Sequence, residues 1–408
     1  MESYINKIVI NKVRTISDLK IELSKENRQH LIFTGKNGSG KTTVLLEIKK
    51  ALALLENPGI TETYGAMMAF VEEQKERKRN HPEFAHVYNS EISTFEEKIR
   101  VLPVHILFSN SENSTKEYIQ NGNFILAFFS AKRHSQIYTP NSIRKLDLEK
   151  TTINQELSSN HFLQFIVNMK ADRSFARDEN EITTIKKIDD WFANFEAQLK
   201  YIFDVDKLEL KFNRHEYTFD IIINDNNQFD FKTLSDGYSA IISIITDLIM
   251  KMELFSVKAY DLEGIVIIDE IETHLHVDLQ KKILPFLISF FPKLQFIVTT
   301  HSPFVLTSLA NAVICDLETR IITSDLSKYS YEAIVENYFG VDQYSTEIKS
   351  KLELYEKLLK NLFRTSDENS ELEDLRKYFL QSQKYYSKEL HGKLLELELF
   401  DLTKQADK

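Results

Sequence analysis

The chain has 408 residues, 42% of them hydrophobic, which suffices for one large domain with additions or for two to three ordinary domains. Its net charge of −10 excludes a small basic nucleic-acid module, although basic runs at 74–81 and 131–134, typically solvated helix faces, leave DNA open as a partner. A single cysteine, Cys315, excludes an internal disulfide framework. Without a signal-peptide pattern or an apolar run of about 18 residues, we expect a cytoplasmic protein with no membrane partner.

Hydrophobic periodicity in the first half predicts strands and helices in alternation. Short apolar or alternating runs predict strands at 5–10, 19–23, 30–35, 100–109 and 122–131. Helical spacing predicts helices over about 41–55, 60–100 and most of 140–205. Three short runs between 207 and 234 then predict a small antiparallel sheet.

The second half predicts a parallel α/β sheet, because apolar strands at 264–270 and 295–302 flank a helix at 277–291. From about residue 345, two or three amphipathic helices are expected. We therefore predict an α/β head over 1–330, with 56–229 as a mostly helical insertion. Residues 331–408 are predicted to be a helical element for docking or oligomerisation.

Residues 35–42, GKNGSGKT, match the phosphate-loop pattern between an apolar strand and a helix. Glycines let backbone N–H groups surround a phosphate at a helix N-terminus. In this pattern the lysine contacts the β- and γ-phosphates, and the last hydroxyl is a ligand of Mg²⁺. We assign nucleotide binding to Gly35, Asn37, Gly38, Ser39, Gly40, Lys41, Thr42 and Thr43, with Thr42 also binding Mg²⁺.

Two acids and a histidine end the apolar strands of the second half. Asp269 is predicted to hold the Mg²⁺ water shell and Glu270 to polarise the attacking water as general base. His301 ends the next strand, where a neutral imidazole could contact the γ-phosphate and orient the water. Each would be an ordinary strand end on its own, and the phosphate loop favours the catalytic interpretation.

The order of the motifs resembles that of the ABC-type ATPases: a phosphate loop, LSDG before a helix, an apolar strand with Asp-Glu and a histidine-ended strand. The stretches LSDGY, IVIIDEIETHLH and LQFIVTTHSPFVL are similar to the soluble branch with RecF, SMC-like and OLD-type proteins. Within that branch they most resemble the antiphage-defence ATPases of the Septu and retron-associated group. The resemblance covers about 1–55 and 230–315. It implies an ABC-type P-loop head, with ATP and Mg²⁺ as ligands and Mg²⁺-dependent hydrolysis to ADP and phosphate.

The resemblance further implies a homodimer, or a higher oligomer, with two ATP molecules between two chains. Ser235, Asp236 and Gly237 would then contact the γ-phosphate bound by the other subunit. From the sequence alone, Ser235 or Asp236 could instead simply cap the apolar helix that follows. The resemblance also implies that Arg14 approaches the nucleotide, and that Arg133 or Gln136 approaches the nucleotide or Mg²⁺.

Three functions follow from the resemblance. The first is the sensor or regulatory subunit of an antiphage defence system that controls a separate effector, for which an HNH-type nuclease is implied. The second is a RecF- or SMC-like DNA-repair or DNA-tethering ATPase, although no sustained heptads predict a long coiled coil. The third is the nucleotide-binding subunit of a transporter, which the long insertion and the Asp-Gly signature disfavour.

Overall fold

The computed structural model describes thirteen stretches of the chain, which are 2–57, 63–133, 139–144, 146, 152–153, 161–224, 227–253, 262–338, 340, 345–361, 363–381, 386 and 388–406. The chain divides into two compact units, 1–331 and 332–408. Among the described helices, none is both long and apolar enough to cross a membrane.

The described residues of the first unit form twelve strands: β1 (Ile5–Val13), β2 (Ile16–Glu22), β3 (His30–Thr34), β4 (Val104–Phe108), β5 (Phe124–Phe129), β6 (Leu208–Asn213), β7 (Thr218–Ile223), β8 (Asn227–Asp230), β9 (Glu263–Ile268), β10 (Leu294–Thr299), β11 (Ala312–Asp316) and β12 (Ile322–Ser324). The helices are α1 (Lys41–Glu56), α2 (Tyr64–Asn80), α3 (Ala85–Val101), α4 (Glu112–Gln120), α5 (Phe162–Asp178), α6 (Ile182–Phe203), α7 (Asp236–Glu253), α8 (Val277–Phe290), α9 (Pro303–Leu306), α10 (Tyr331–Ala333), α11 (Thr346–Lys360), α12 (Ser366–Gln381) and α13 (Lys388–Ala406).

The central sheet has six strands in the order β12-β11-β3-β10-β9-β5. All neighbours are parallel except β12, which runs antiparallel to β11. Every residue of β3, β10 and β11 is buried, which explains why these strands are continuous apolar runs rather than alternating ones. Because β3, β9 and β10 are parallel neighbours, their carboxyl ends meet at one edge, where the ligands of open α/β sheets bind.

Two further sheets are antiparallel: β2-β1-β4 and β6-β7-β8. The second is the small sheet predicted between 207 and 234. The first brings β4 onto β1, and β5 joins the central sheet beside β9. The range 56–229 is therefore not one helical insertion. It contains two separate helical pairs, α2–α3 and α5–α6, and β4 and β5 between them belong to sheets of the head because their apolar side chains are needed in its core.

The second unit is a group of three helices, α11 to α13, as the amphipathic pattern predicted. Their inward faces form one apolar core, made by Leu352, Tyr355, Leu358, Leu359, Leu372, Leu375, Phe379, Leu390 and Leu397. A buried carboxylate connects α13 with α12 and with the segment before α12: Asp401 accepts hydrogen bonds from Arg376 at 2.7 Å and from Arg364 at 3.4 Å. A buried charge requires such partners, since an unpaired carboxylate would strongly destabilise the unit.

Candidate ATP site

The phosphate loop joins β3 to α1 through three glycines with positive φ: 127° at Gly35, 85° at Gly38 and 98° at Gly40. Side chains with a Cβ adopt this conformation only with strain, so the loop path needs glycine here. Gly40 is the N-cap of α1, and no described side chain caps the helix or adds an acid to its first turn. The N–H groups of that turn are therefore free of side-chain caps at the positive end of the helix dipole, which suits an anionic phosphate.

Lys41 is held inside the loop. Its side chain is buried, and its Nζ donates hydrogen bonds to the carbonyl oxygens of Gly35 at 2.8 Å and Lys36 at 3.1 Å. Burial lowers the pKa of Lys41, while the nearby carboxylates of Glu270 and Glu272 raise it. A buried cation held by carbonyl oxygens at this position can exchange those contacts for the oxygens of a phosphate.

Asp269, which follows β9, connects the end of β10 with the first turn of α1. Its Oδ2 accepts a hydrogen bond from Thr42 Oγ1 at 2.8 Å, and its Oδ1 accepts one from Thr299 Oγ1 at 2.6 Å. In the described part of the chain, no group of three or more His, Cys, Asp or Glu residues could hold a metal. A hydroxyl and one carboxylate side by side suit Mg²⁺, which proteins commonly bind through few side chains together with water and phosphate oxygens.

Glu270 follows directly, with a left-handed φ of 44°. Its N–H donates to Thr299 Oγ1 at 2.7 Å, and its carboxylate accepts a hydrogen bond from Thr273 Oγ1 at 3.3 Å. The residue lines a cleft of about 190 Å³. The other lining residues are Arg14, Asn37, Gly38, Gly40, Lys41, Thr42, Thr43 and His301. The cleft therefore brings the phosphate loop together with a carboxylate and an imidazole.

His301 is fixed through its backbone, because its N–H donates to Glu272 Oε1 at 2.5 Å. Burial lowers the pKa of His301 below 6.5, and the positive charge of Lys41 lowers it further, against the opposing effect of Glu272 and the other nearby carboxylates. The imidazole is therefore mainly neutral near pH 7 and can offer either a donor or an acceptor nitrogen to a ligand.

Ser235, Asp236 and Gly237, which we call the signature segment, line a second cavity of about 500 Å³. This cavity shares no lining residue with the first cleft. Ser235 and Asp236 are exposed at the start of α7, and the Ser235 carbonyl accepts the N–H of Ser239 at 2.9 Å. A Cβ on Gly237 would lie 2.9 Å from the carbonyl oxygen of His274. The first turn of α7 thus packs closely on the loop that follows the acid pair.

Comparison with known proteins agrees with this geometry. A family model described as "AAA domain, putative AbiEii toxin, Type IV TA system" matches residues 124–307. The Septu protein PtuA of Bacillus thuringiensis is 26% identical over 420 residues, which is 97% of this chain and 97% of that protein. The Septu protein PtuA of Bacillus mycoides (strain KBAB4) is 28% identical over 416 residues, but this chain spans only 53% of its length.

Another match covers a shorter stretch of the chain at a higher sequence identity. The "Retron Ec83 probable ATPase" of Escherichia coli is 43% identical over 88 residues, which is 21% of this chain and 16% of that protein. The chain is thus similar in sequence to proteins named as Septu PtuA and as a retron ATPase. Its phosphate loop, acid pair and histidine are brought together at one sheet edge, and its signature segment lies elsewhere on the surface of the same head.

The remaining predicted site residues differ in whether they line the cleft. Arg14 lines the cleft, as the resemblance implied. Arg133 does not: it is buried behind the acid pair, where it donates to the carbonyl oxygens of Asp269 and Glu270. Gln136 lies outside the described residues. Gly35 and Ser39 belong to the phosphate loop but do not line this cleft.

Sequence reasoning missed two residues that organise the site. Thr299 contacts both acids, since it donates to the Asp269 carboxylate and accepts the Glu270 N–H. Glu272 accepts the His301 N–H. The only available signal was position: Thr299 lies two residues before His301, and Glu272 lies two residues after Glu270 in the same motif.

Proposed function

We propose that the chain is a Mg²⁺-dependent ATPase that works as a dimer with two nucleotides between the subunits. The observation that carries the proposal is the separation of the two half-sites, since the cleft with the phosphate loop and the cavity with the signature residues share no lining residue. Within one chain, Ser235 and Gly237 thus line a different cavity from the one that the phosphate loop lines. A second chain can supply them to a γ-phosphate whose other side the first chain holds.

Each residue has a role set by its surroundings. The N–H groups of the first turn of α1 and the Lys41 ammonium bind the phosphates of ATP. Thr42 and Asp269 would hold Mg²⁺, which when bound would neutralise charge on the phosphate oxygens. Glu270 accepts a proton from the attacking water, while the neutral His301 imidazole orients that water and donates to the γ-phosphate. Arg14 adds positive charge to the same cleft.

Three substitutions test the dimer mechanism. Glu270→Gln keeps the shape of the side chain but removes the base, so turnover should fall by about 10²-fold or more while ATP stays bound and the mass corresponds to a dimer. Lys41→Ala should abolish ATP binding. Ser235→Arg should spare folding and single-chain ATP binding and remove ATP-driven dimerisation. The mechanism is wrong if light scattering shows one mass for all variants with and without ATP, or if Ser235→Arg retains full turnover.

We further propose that this ATPase regulates an antiphage defence system, in which it controls a separate effector with HNH-type nuclease chemistry. The proposal is supported by the match to two Septu proteins over nearly the whole of this chain and by the match to a retron ATPase. In this view the three-helix unit 332–408 docks the effector or mediates higher oligomerisation. ATP binding or hydrolysis then sets whether the effector is active.

Phage plating separates this function from DNA repair. The gene with its neighbours should lower plating efficiency, and the Lys41→Ala and Glu270→Gln variants should abolish protection at equal protein levels. Co-purification with a neighbouring gene product, lost on deletion of 332–408, would support effector control. If protection is absent while DNA stimulates hydrolysis, the repair or tethering function is the better explanation.

A further inference from the structure

Arg133 occupies a position that the ATPase mechanism above does not use. It lies four residues after the end of β5, the sheet neighbour of β9, with Phe129 paired to Ile268 in register. Since the two strands are parallel, the residues that follow them meet at the same edge of the sheet. The side chain of Arg133 is buried, and its Nη2 donates to the carbonyl oxygens of Asp269 at 3.1 Å and Glu270 at 2.5 Å.

These contacts fix a backbone that is otherwise strained. Glu270 has a φ of 44°, a left-handed conformation that an L-residue adopts only at a cost in free energy and keeps only where its surroundings hold it. Both backbone polar groups of Glu270 are held: the N–H by the Thr299 hydroxyl, and the carbonyl by the Arg133 guanidinium together with the Thr273 N–H at 3.0 Å. A guanidinium presents its donors in one plane and in fixed directions, so it orients both carbonyl groups together.

The direction of the Glu270 carboxylate depends on this backbone. Among the described residues its carboxylate accepts the long hydrogen bond of 3.3 Å from Thr273, which alone does not define a direction well. The Cα–Cβ bond follows from φ and ψ, and it directs the carboxylate to the cleft that holds the phosphate loop. Loss of Arg133 would leave the Glu270 carbonyl with the Thr273 N–H as its remaining partner among the described contacts and the Asp269 carbonyl without the guanidinium, so this backbone would be less firmly held and the carboxylate would shift.

We propose that Arg133 is a positioning residue for ATP hydrolysis, which holds Glu270 in the conformation that directs its carboxylate at the attacking water. This inference rests on the proposed role of Glu270 as general base. It replaces direct contact with nucleotide or Mg²⁺ as the role of Arg133, because the residue does not line the cleft. Its substitution should therefore affect the chemical step and leave nucleotide binding intact.

The test compares Arg133→Met with Lys132→Met, which removes the same charge from the adjacent exposed residue. Arg133→Met should lower kcat by about 10²-fold, the effect of a misplacement of about 1 Å, with KM and ATP affinity changed less than threefold. Lys132→Met should match the wild type in every measurement. Arg133→Lys keeps a cation that can reach one carbonyl, so it should recover part of kcat. If Arg133→Met does not fold, Arg133→Lys and Arg133→Gln provide the same comparison.

A double variant shows whether Arg133 acts through Glu270. In a Glu270→Gln background the base is already absent, so Arg133→Met should cause no further loss of turnover, whereas two independent effects would multiply. The inference is overturned if kcat is unchanged, if KM rises at constant kcat, or if the full loss recurs in the double variant. If the wild type hydrolyses ATP and needs Glu270 while Arg133→Met equals wild type, only this inference fails. If the wild type does not hydrolyse ATP, the proposed function fails too.

Discussion

Replacing Gly237 by alanine tests whether the signature segment must pack closely against the loop that follows the acid pair. The new Cβ would lie 2.9 Å from the backbone carbonyl oxygen of His274 and 3.5 Å from a Leu279 methyl group. The nearer contact is therefore with backbone, the carbonyl of a loop residue with a positive φ of 67°, and not with the flexible end of a side chain. The first turn of α7 or the loop has to move.

Two opposing effects determine whether Gly237→Ala raises or lowers the free energy of unfolding. Alanine is favoured over glycine within a helix by about 0.5 to 1 kcal/mol, and this gain is smaller in the first turn. An inserted methyl group that forces backbone shifts costs about 1 to 3 kcal/mol. The overpacking term therefore exceeds the helix term, and we expect a net destabilisation of about 1 to 2 kcal/mol.

Two assays measure the result. Guanidinium unfolding should show a lower midpoint for Gly237→Ala than for wild type, at an unchanged slope. ATP turnover should fall about tenfold or more, since the shifted turn carries Ser235, whereas single-chain ATP affinity should stay the same because Gly237 does not line that cleft. Gly392→Ala is the matched control: its Cβ would meet no described atom within 4 Å, so it should stabilise α13 by about 0.5 to 1 kcal/mol.

If Gly237→Ala has the stability and the turnover of the wild type, the reasoning is refuted, because the expected losses of stability and of turnover both depend on the close contact with His274. Lower stability with full turnover would refute only the link between the position of the α7 turn and hydrolysis. In that case the packing would be correct, but the position of the first turn of α7 would not matter for hydrolysis.

Three other measurements check separate parts of the structure. Thr299→Val should lower stability by about 1 to 3 kcal/mol and slow hydrolysis, because a hydroxyl bonded to both acids is lost while shape is kept; an unaltered rate would contradict this. Burial lowers the pKa of His30 from 6.5 to about 4. Between these two pH values the unfolded chain binds more protons than the folded chain. The free energy of unfolding should therefore drop by about 3 kcal/mol as the pH falls from above 6.5 to about 4. His30→Asn should flatten that dependence in urea titrations. Leu359→Ala should cost about 2 to 5 kcal/mol in the C-terminal unit, measured by calorimetry, without changing ATP turnover.

The sequence was sufficient to predict the phosphate loop, the acid pair and the histidine as neighbours. All three follow apolar strands, and parallel strands bring their carboxyl ends to one edge regardless of the order between them. The antiparallel strand pattern of β6, β7 and β8 was equally readable, because one face of that sheet is more buried than the other and the side chains alternate.

The partners of β4 and β5 could not be predicted in this way. Apolar runs show that a segment is a strand but contain no information on which strand lies beside it. The place of Arg133 depends on that pairing, since only the position of β5 next to β9 brings its guanidinium to the acid pair. The contacts of Thr299 depend on the same edge, and a threonine within a buried strand has no pattern of its own.

The position of β3 in the central sheet has a consequence for synthesis on the ribosome. Its two neighbours are β10 and β11, which begin at Leu294 and Ala312. About 260 residues are translated after β3 before either neighbour exists, which takes about 13 to 50 s at typical bacterial rates. During this time the nascent phosphate-loop strand is an apolar segment without its native pairing. Chains that terminate just before β10 therefore contain the phosphate loop and the acid pair but lack Thr299 and His301, and their β3 has neither of its native neighbours.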